Sequence, residues 1–368
     1  MAQAKFAKVG GAWKFVNAEF AKIGGAWKAV TTNAVKIGGD WKFVPAGDRV
    51  IWVVERASDR LYALNQDLEV VDGWPLYGSG IVGPQSVACD GAGNSWWGMT
   101  NNVVKVPKTG VSVSWTYGSH SYPVYAIAVD TSGNSYTGDG NGTFRKLDTL
   151  GNLIWTKTLP VTAPIVSICL DPTNSLGYLV TQVGSASRLY RFQLSNGNYS
   201  HVSAVTFLNN ATACMSDNSG NVYVADTESY GGSVQGRIRR VTFDPWQIGS
   251  ALYTGASSDV PQMVLGRDGF GYAACGGSGK CVKFTPGTVP TETGTLVWEK
   301  GPGGVRCEGV GVDLGSNVYA TFRVSGASTS NLIRKYNSSG TELASWRPYL
   351  IAQMYHVAVI PGVRAHGH

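Results

Sequence analysis

The sequence has little charge, no sign of long helices and no long apolar segment. Charged residues make up 15% of its 368 positions. No apolar run reaches the length of about 18 residues that a membrane-spanning helix needs. No stretch of helical length repeats apolar residues at i, i+3, i+4 and i+7, which argues against a helical bundle. Residues 1–8 lack the apolar core of a signal peptide, so folding in a cytoplasm is expected.

Patterns typical of enzyme and cofactor sites are also absent. The chain has no Gly-x-Ser-x-Gly, no phosphate-binding loop and no dinucleotide fingerprint. Its six cysteines lack the spacing of a zinc site. Three of them end apolar runs and are expected to be small buried hydrophobes: Cys89, Cys169 and Cys214. Cys275 and Cys281 flank a glycine-rich turn and are expected to face each other across a hairpin as a reduced pair. No metal and no cofactor is therefore expected.

Positive charge is concentrated at the start of the chain. Residues 1–48 hold seven lysines against three acidic residues, a net +4 out of +6 for the whole chain. The remaining residues are too weakly basic for a nucleic-acid-binding protein, in which basic residues cluster on one face. No nucleic-acid partner and no membrane insertion are expected.

Three near-identical units of 14 residues occupy residues 5–44. Each reads as a short apolar strand, a Gly-Gly pair and a second strand, which predicts a β-hairpin with a two-residue turn. The repeated positions are Trp13, Trp27 and Trp41 and, beside them, Lys14, Lys28 and Lys42. A single hairpin of this size is unstable alone. The tryptophans are therefore expected to contact each other or a partner protein, while the lysines form either a solvated face or a contact with an acidic partner.

A longer repeat begins near residue 49. Each unit contains an apolar strand, a turn with Asp, Gly and Asn, and a strand with an aromatic residue. The aromatic positions lie 40 to 49 residues apart: Trp96, Tyr136, Tyr178, Tyr223, Tyr272 and Tyr319. A third strand with Lys or Arg and a fourth strand, often with Trp, complete each unit. This length and order predict blades of a β-propeller, in which the Asp caps its turn through backbone N–H groups.

The two ends of this region are expected to form one further blade together. Residues 49–54, 60–64 and 69–74 supply its second, third and fourth strands, and residues 356–360 supply its inner strand. The fold class predicted is all-β: a seven-bladed β-propeller, closed by strands from both ends and preceded by three short β-hairpin repeats. The predicted domains are residues 1–48, residues 49–362 and a tail of residues 363–368.

The Asp-x-x-Gly-Asn-x-Tyr signature with a basic third strand resembles NHL-type and related propeller repeats. This resemblance covers residues 49–362 and implies an architecture, not an activity.

The start of each inner strand is expected to line the mouth of a central channel. The candidate binding residues there are Gln85, Tyr125, Thr212, Gln262, Glu308, Tyr355 and His356. Glu308 and His356 belong to adjacent blades and are the weak candidates for a catalytic pair, because hydrolysis or elimination needs an acid or base at matched depth. The other interpretation is a polar lining that holds water.

Tyrosines are the candidates for stacking on sugars. They are Tyr117, Tyr122, Tyr125, Tyr230, Tyr349 and Tyr355. Most are expected to pack in the core, and two or three to be exposed.

The Lys-x-Gly-Gly-x-Trp-Lys-x-Val repeats of residues 5–44 resemble repeats at the ends of tailed-bacteriophage structural proteins. The resemblance implies a virion protein assembled in the host cytoplasm, present in several copies per particle. Its hairpins would dock to other virion proteins, and its propeller would bind a host-surface glycan or a neighbouring subunit. Such a protein would not be an enzyme. The alternatives are a purely structural capsid decoration or adaptor protein, and a propeller lyase or glycan hydrolase.

Overall fold

The computed structural model describes residues 51–359 with short gaps, and describes residues 1–50 only through the backbone of six strands. The gaps after residue 50 are 57–58, 72, 79, 109–111, 172, 174, 184–186, 202–207, 218–219, 231–232, 244–245, 257–258, 287–293, 314, 324–330 and 348–353. Side chains are also left out at 201, 229–230, 233, 242–243, 246–251, 253–256 and 355. The predicted tail of residues 363–368 lies outside the described part.

The N-terminal repeats form three separate antiparallel hairpins, as predicted. Their strands are β1 (Phe6–Val9) with β2 (Ala12–Phe15), β3 (Phe20–Ile23) with β4 (Ala26–Ala29), and β5 (Thr32–Ile37) with β6 (Asp40–Pro45). The register is the same in each, pairing Trp13 with Lys8, Trp27 with Lys22 and Trp41 with Lys36. By contacts between Cα atoms, Met1–Asp48 and Arg49–His368 are two separate compact units.

Six four-stranded antiparallel sheets and one three-stranded sheet make up the second unit, which confirms the predicted seven-bladed propeller. The strands of blades 1 to 3 are β9 (Ser86–Cys89), β10 (Ser95–Gly98), β11 (Val103–Val106), β12 (Trp115–Tyr117); β13 (Val124–Val129), β14 (Ser135–Asp139), β15 (Thr143–Leu147), β16 (Leu153–Thr158); and β17 (Ile165–Asp171), β18 (Leu176–Thr181), β19 (Arg188–Gln193), β20 (Tyr199–His201). Those of blades 4 to 6 are β21 (Ala213–Ser216), β22 (Val222–Tyr230), β23 (Ser233–Phe243), β24 (Trp246–Ala256); β25 (Gln262–Leu265), β26 (Gly271–Cys275), β27 (Lys280–Thr285), β28 (Thr295–Lys300); and β29 (Arg306–Val312), β30 (Val318–Arg323), β31 (Leu332–Tyr336), β32 (Glu342–Trp346).

Blade 7 joins the two ends of the propeller region. Its strands are β33 (Met354–Val359), β7 (Ile51–Glu55) and β8 (Arg60–Leu64), in that order from the inside. β33 pairs antiparallel with β7 and also packs against β29 and β9, the inner strands of its neighbours. The ring therefore closes on itself without an open inner edge.

The fourth strand predicted for this blade at residues 69–74 is not regular. Among the described residues 69–71 and 73–76, two isolated bridges connect the chain to β8, Leu64 to Val70 and Leu61 to Leu76. Gly73 has a φ of 82°, and the residue that follows Trp74 is a proline without an N–H group. Both features interrupt a ladder of strand hydrogen bonds, so blade 7 has three strands and an irregular outer edge.

The turn aspartates cap their turns as predicted. In blade 1, Oδ1 of Asp90 accepts the backbone N–H of Asn94 at 2.8 Å and Oδ2 accepts its side-chain amide at 2.8 Å. The same pair of bonds recurs at Asp130, Asp217 and Asp313. These aspartates therefore stabilise the turns, and their carboxylate oxygens accept hydrogen bonds from the backbone and side-chain N–H groups of the asparagines.

A repeated contact, here called the Lys–Trp latch, joins neighbouring blades at this turn end. Lys105 of blade 1 lies over the ring of Trp96 at 4.5 Å and donates to the carbonyl of Thr149 in blade 2 at 2.9 Å. The indole N–H of Trp115 donates to the same carbonyl at 3.2 Å. The latch recurs with Lys146, Trp155 and the carbonyl of Leu194, and with Lys283, Trp298 and the carbonyl of Ser338.

The core lies between the faces of adjacent blades. Its largest fully buried side chains come from second and third strands and include the predicted aromatic positions Trp96, Tyr136, Tyr178, Tyr272 and Tyr319. Between blades 7 and 1, the rings of Trp52, Trp74 and Trp97 lie 5.3 to 6.3 Å apart. Among the described residues there is no helix long and apolar enough to span a bilayer.

Candidate functional site

The mouth of the channel coincides with β-bulges in four inner strands. The bulged residue is Tyr125 in β13, Val166 in β17 and Glu308 in β29, and in β33 the extra residue lies between Met354 and Val357. A bulge turns a side chain away from the regular alternation of a strand. Of the positions chosen for the mouth, Tyr125 and Glu308 are therefore bulged residues, whereas Gln85, Thr212 and Gln262 lie at the start of inner strands of regular register.

Several polar side chains of the inner strands bind the backbone of the next inner strand. The hydroxyl of Ser86 donates to the carbonyl of Val124 at 2.9 Å, and that of Thr212 donates to the carbonyl of Val260 at 2.7 Å. The hydroxyl of Ser167 accepts the N–H of Cys214 at 3.0 Å. These bonds use the polar atoms to connect blades.

Gln262 connects three inner strands. Its Oε1 accepts the N–H of Val310 at 3.1 Å and that of Val357 at 3.3 Å, and its Nε2 donates to the carbonyl of Val357 at 2.9 Å. β25 and β33 are not neighbours in the ring, so this one side chain reaches past β29 to the inner strand of the blade after it. Gln85, by contrast, bonds locally, to the carbonyl of Gly83 at 2.8 Å.

Glu308 is held by two arginines. Its Oε1 accepts Nε of Arg323 at 2.6 Å and Nε of Arg306 at 3.1 Å, and its side chain is buried. Arg306 also bonds Asp259 at 2.7 Å. The carboxylate is therefore a charged member of an ion-pair network between blades 5 and 6.

His356 lies on the adjacent inner strand and interacts with Glu308 electrostatically. Desolvation lowers the pKa of the imidazole to about 4, against the opposing effect of the Glu308 carboxylate. The ring is neutral at pH 7 and a weak base. Among the described residues no hydrogen bond joins His356 to Glu308, so the predicted pair is brought close but not connected.

Residues 117–125 include a buried histidine, His120, that the sequence analysis did not single out. Nδ1 of His120 lies 3.3 Å from Oδ2 of Asp139, and Nε2 lies 3.2 Å from the hydroxyl of Thr137. The edge of the Tyr117 ring lies against the imidazole, with centroids 5.8 Å apart. Burial lowers the pKa of His120, while the hydrogen bond to Asp139 opposes this shift.

Asp139 belongs to a class of buried carboxylates at the ends of second strands. Arg145 on the neighbouring strand bonds it at 3.1 Å. Although burial raises the pKa of Asp139, the hydrogen bonds from His120, from two backbone N–H groups and from Arg145 lower it overall.

Blade 4 has an ion-pair network at the position equivalent to that of Asp139 and Arg145. Asp226 is fully buried and bonds Arg237 at 2.7 Å and Arg239 at 2.6 Å, and Arg237 also bonds Glu228 at 2.7 Å. This network lies at the base of the hairpin of β22 and β23, which runs further past the mouth than the matching hairpins of the other blades. In the sequence, these sites are marked only by an acidic residue three positions after the repeated aromatic residue, Asp139 after Tyr136 and Asp226 after Tyr223. Not every propeller repeat has this acidic residue.

Exposure separates the candidate tyrosines. Tyr122 is 46% exposed, whereas Tyr117 and Tyr125 are half-buried. The side chains of Tyr230 and Tyr355, and all of Tyr349, lie outside the described residues. Tyr77, which the sequence analysis did not select, is 76% exposed. Its position in a Gly-rich segment before β9 is the signal that identifies it.

The cysteines are free and buried. The expectation that Cys275 and Cys281 face each other is wrong, because the register pairs Cys275 with Lys280 and Cys281 with Ala274. The two thiols thus point to opposite faces of blade 5, and the core clusters they join differ. Within the described part of the chain, no three His, Cys, Asp or Glu side chains are grouped to hold a metal ion.

The docking residues selected from the repeats, Trp13, Trp27, Trp41, Lys14, Lys28 and Lys42, lie on described strands, but their side chains lie outside the described part. The register places each second-strand lysine opposite an alanine or valine of the first strand.

Comparison with solved structures shows the same architecture at low identity. A functionally unknown protein from Desulfotomaculum acetoxidans is 14% identical with a TM-score of 0.66, covering 87% of this chain and 100% of that one. The Swd1 propeller domain of Myceliophteria thermophila is 10% identical with a TM-score of 0.61, covering 76% and 90%. A catalytically inactive virginiamycin B lyase from Staphylococcus aureus is 12% identical with a TM-score of 0.56, covering 79% and 95%. No family model and no curated protein matches the chain. These likenesses concern the fold alone, and by its fold the chain is a β-propeller.

Proposed function

We propose that the chain is a bacteriophage virion protein that mounts a propeller on the particle through its N-terminal hairpins. The observation that carries the proposal is the strict repeat of residues 5–44, which forms three hairpins of identical register in a unit separate from the propeller. A lone two-stranded hairpin is unstable in water. Three copies that each carry a Trp and a Lys at the same register position are suited to repeated docking on other subunits.

The propeller would act as the binding head, for a host-surface glycan or a neighbouring subunit. Several candidate side chains at its mouth are already engaged within the protein. Thr212 and Gln262 bond backbone groups of other blades, and Glu308 bonds two arginines. Rigid, closed blades with exposed tyrosines at the rim are better suited to recognition than to catalysis.

The test is incorporation into particles. The chain of residues 49–368 should be absent from purified particles when it replaces the full chain during assembly, while the full chain is present in several copies. A triple variant, Trp13→Ala with Trp27→Ala and Trp41→Ala, should be lost in the same way. A matched triple variant, Lys14→Ala with Lys28→Ala and Lys42→Ala, shows whether the positive charges are also needed for incorporation. Normal incorporation of the 49–368 chain would refute the docking role.

A second candidate, a propeller lyase or glycan hydrolase, is favoured by the electrostatic contact between Glu308 and His356 at the mouth. If it is correct, the purified protein shortens host-envelope polysaccharide and Glu308→Gln abolishes the shortening. The control is Glu299→Gln on the outer strand β28. Unchanged polysaccharide with the wild-type chain rejects this candidate.

A further inference from the structure

A compact surface of tyrosines lies at the rim of the mouth between blades 1 and 2. This rim patch consists of Tyr122, Pro123, Tyr125 and Gly140. A Cβ placed on Gly140 would lie 3.1 Å from Cε2 of Tyr125, 3.5 Å from Cβ of Tyr122 and 3.7 Å from Cδ of Pro123. The three side chains thus pack on the bare glycine backbone, and the N–H of Gly140 donates to the carbonyl of Pro123 at 2.9 Å.

The segment that carries the patch is fixed by contacts to strand β14. His120, only 4% exposed, contacts Asp139 and Thr137 of β14 through its two ring nitrogens. The carboxylate of Asp139 is in turn fixed by Arg145 and by the backbone N–H groups of its own turn. A surface held in this way loses little conformational entropy when it binds a ligand.

The patch carries no net charge. Residues 117–125 contain no Asp, Glu, Lys or Arg. Asp139, which directly precedes Gly140, is paired with Arg145. Two exposed serines, Ser119 and Ser121, flank His120 and supply hydroxyl groups. Nucleic acids and acidic polymers need a basic surface, which this segment does not provide. An aromatic ring beside hydroxyl groups on a neutral surface is suited to a ligand with apolar C–H faces and many hydroxyl groups.

We propose that the rim patch binds a neutral saccharide unit, with the Tyr122 ring stacked on the sugar face and the flanking serines bonded to its hydroxyl groups. The inference rests on the proposed function for its biological source, a polysaccharide of the host envelope. The saccharide site itself is built only from the residues of the patch.

The experiment measures saccharide binding by the full chain in solution. An array of neutral and acidic bacterial-envelope saccharides identifies a ligand, and calorimetric titration gives its affinity. Tyr122→Ala should weaken the affinity about 3- to 10-fold, the range expected for the loss of one aromatic contact, and Tyr122→Phe should retain it. Tyr77→Ala is the matched control, because Tyr77 is also exposed but lies near Arg60 in blade 7, and it should bind like the wild type.

A second variant tests the rim patch without removing the Tyr122 side chain, so that its result does not depend on how Tyr122→Ala folds. Ser121→Lys removes no packing, since Ser121 is exposed, and its long side chain should obstruct the patch and weaken binding. The inference is overturned if the wild-type chain binds no saccharide on the array, if it prefers acidic saccharides, or if Tyr122→Ala and Tyr77→Ala bind equally well.

The two proposals fail in distinguishable ways. If Tyr122→Ala enters particles normally and binds saccharide like the wild type, the rim patch is refuted and the docking role stands. If Tyr122→Ala weakens saccharide binding while the 49–368 chain still enters particles, the docking role is refuted and the rim patch stands.

Discussion

Gly151 shows how one backbone position can hold two blades together. Its φ is 85°, in the left-handed region, and a Cβ placed there would lie 2.7 Å from the indole of Trp115 in the preceding blade. The residue therefore meets two requirements, a turn conformation and a close approach to the Trp of a Lys–Trp latch. Gly197 and Gly340 stand in the same relation to Trp155 and Trp298.

These two requirements can be separated by mutation. Gly269 has a φ of 76°, but a Cβ added to it would have no atom within 4 Å. Gly269→Ala should lower the free energy of unfolding by about 1–2 kcal/mol through backbone strain alone. Gly151→Ala should lower it by about 1–3 kcal/mol more, because the indole must move. Urea denaturation measures both, and equal losses would contradict the role of the glycine in the latch.

His356 should make the stability depend on pH. Its pKa is lowered on folding from its usual value near 6.5 to about 4, so between these values the unfolded chain binds a proton that the folded chain does not. The contribution is complete above pH 6.5 and is lost as the pH falls towards 4. The expected loss of unfolding free energy is on the order of 3 kcal/mol.

The control for this prediction is His356→Gln, which removes the titrating group. Urea midpoints measured from pH 7.5 to pH 4 should fall less steeply for this variant than for the wild type. His120, whose pKa is lowered in the same direction, contributes to the slope that remains. Identical slopes would show that His356 is not desolvated in the folded state.

Among individual residues, the sequence predicted the turns better than the buried charges. Asp90 and its equivalents were identified because a cap is local and bonds the residue four positions later. Asp139 and Asp226 were not, because their arginines come from the neighbouring strand and the sequence does not show which charge an arginine will meet. The facing of Cys275 and Cys281 was misjudged because it depends on a register shift of one residue.

Among the elements, the inner strands depend on each other through Gln262. Its amide satisfies the N–H groups of Val310 and Val357 in two other strands. Gln262→Ala would leave these groups without a partner, and a buried unpaired group costs about 1–3 kcal/mol.

The matched comparison is Gln85→Ala, at the start of the inner strand β9. Gln85 bonds only within its own segment, at Gly83, so its loss should cost less than that of Gln262. Thermal unfolding followed by near-ultraviolet circular dichroism measures the two shifts. A smaller effect at Gln262 than at Gln85 would contradict its bridging role.

Strand order in each blade was predictable, but the irregular places were not. The pattern of apolar strand, Asp turn and aromatic strand predicted the hairpins, since each is local in sequence. The bulges at Tyr125, Val166 and Glu308 leave no mark in that pattern, because a bulge depends on how one strand bends against its neighbour. The outer edge of blade 7 was predicted as a strand from its apolar residues, although Gly73 interrupts it.

Taken together, the strands of the chain separate into two units with different periods. Residues 49–368 contain all seven blades and their core, so removal of residues 1–48 should leave the unfolding midpoint of the propeller unchanged within about 1 °C, which corresponds to less than 1 kcal/mol for a domain of this size. Differential scanning calorimetry of the two chains tests this. A lower midpoint for the shorter chain would mean that the hairpins stabilise the propeller.

The number of blades could be derived from the sequence because the repeat length and the chain length are both counted directly. The rim patch could not, since it lies in a connection between blades that carries no repeat. Its tyrosines were noted, but His120 beneath them was not, because only the structure shows that Asp139 and Thr137 lie at its two nitrogens.

The pairing of β33 with β7 also sets the order in which the molecule can be made. The first strand of the propeller to leave the ribosome, β7, pairs with an inner strand that is synthesised only after blades 1 to 6. Blades 1 to 6 are each built from consecutive strands and can form as they emerge. Until β33 has been synthesised, β7 remains without its inner partner, and this is the interval in which a nascent chain is most exposed to association with its neighbours.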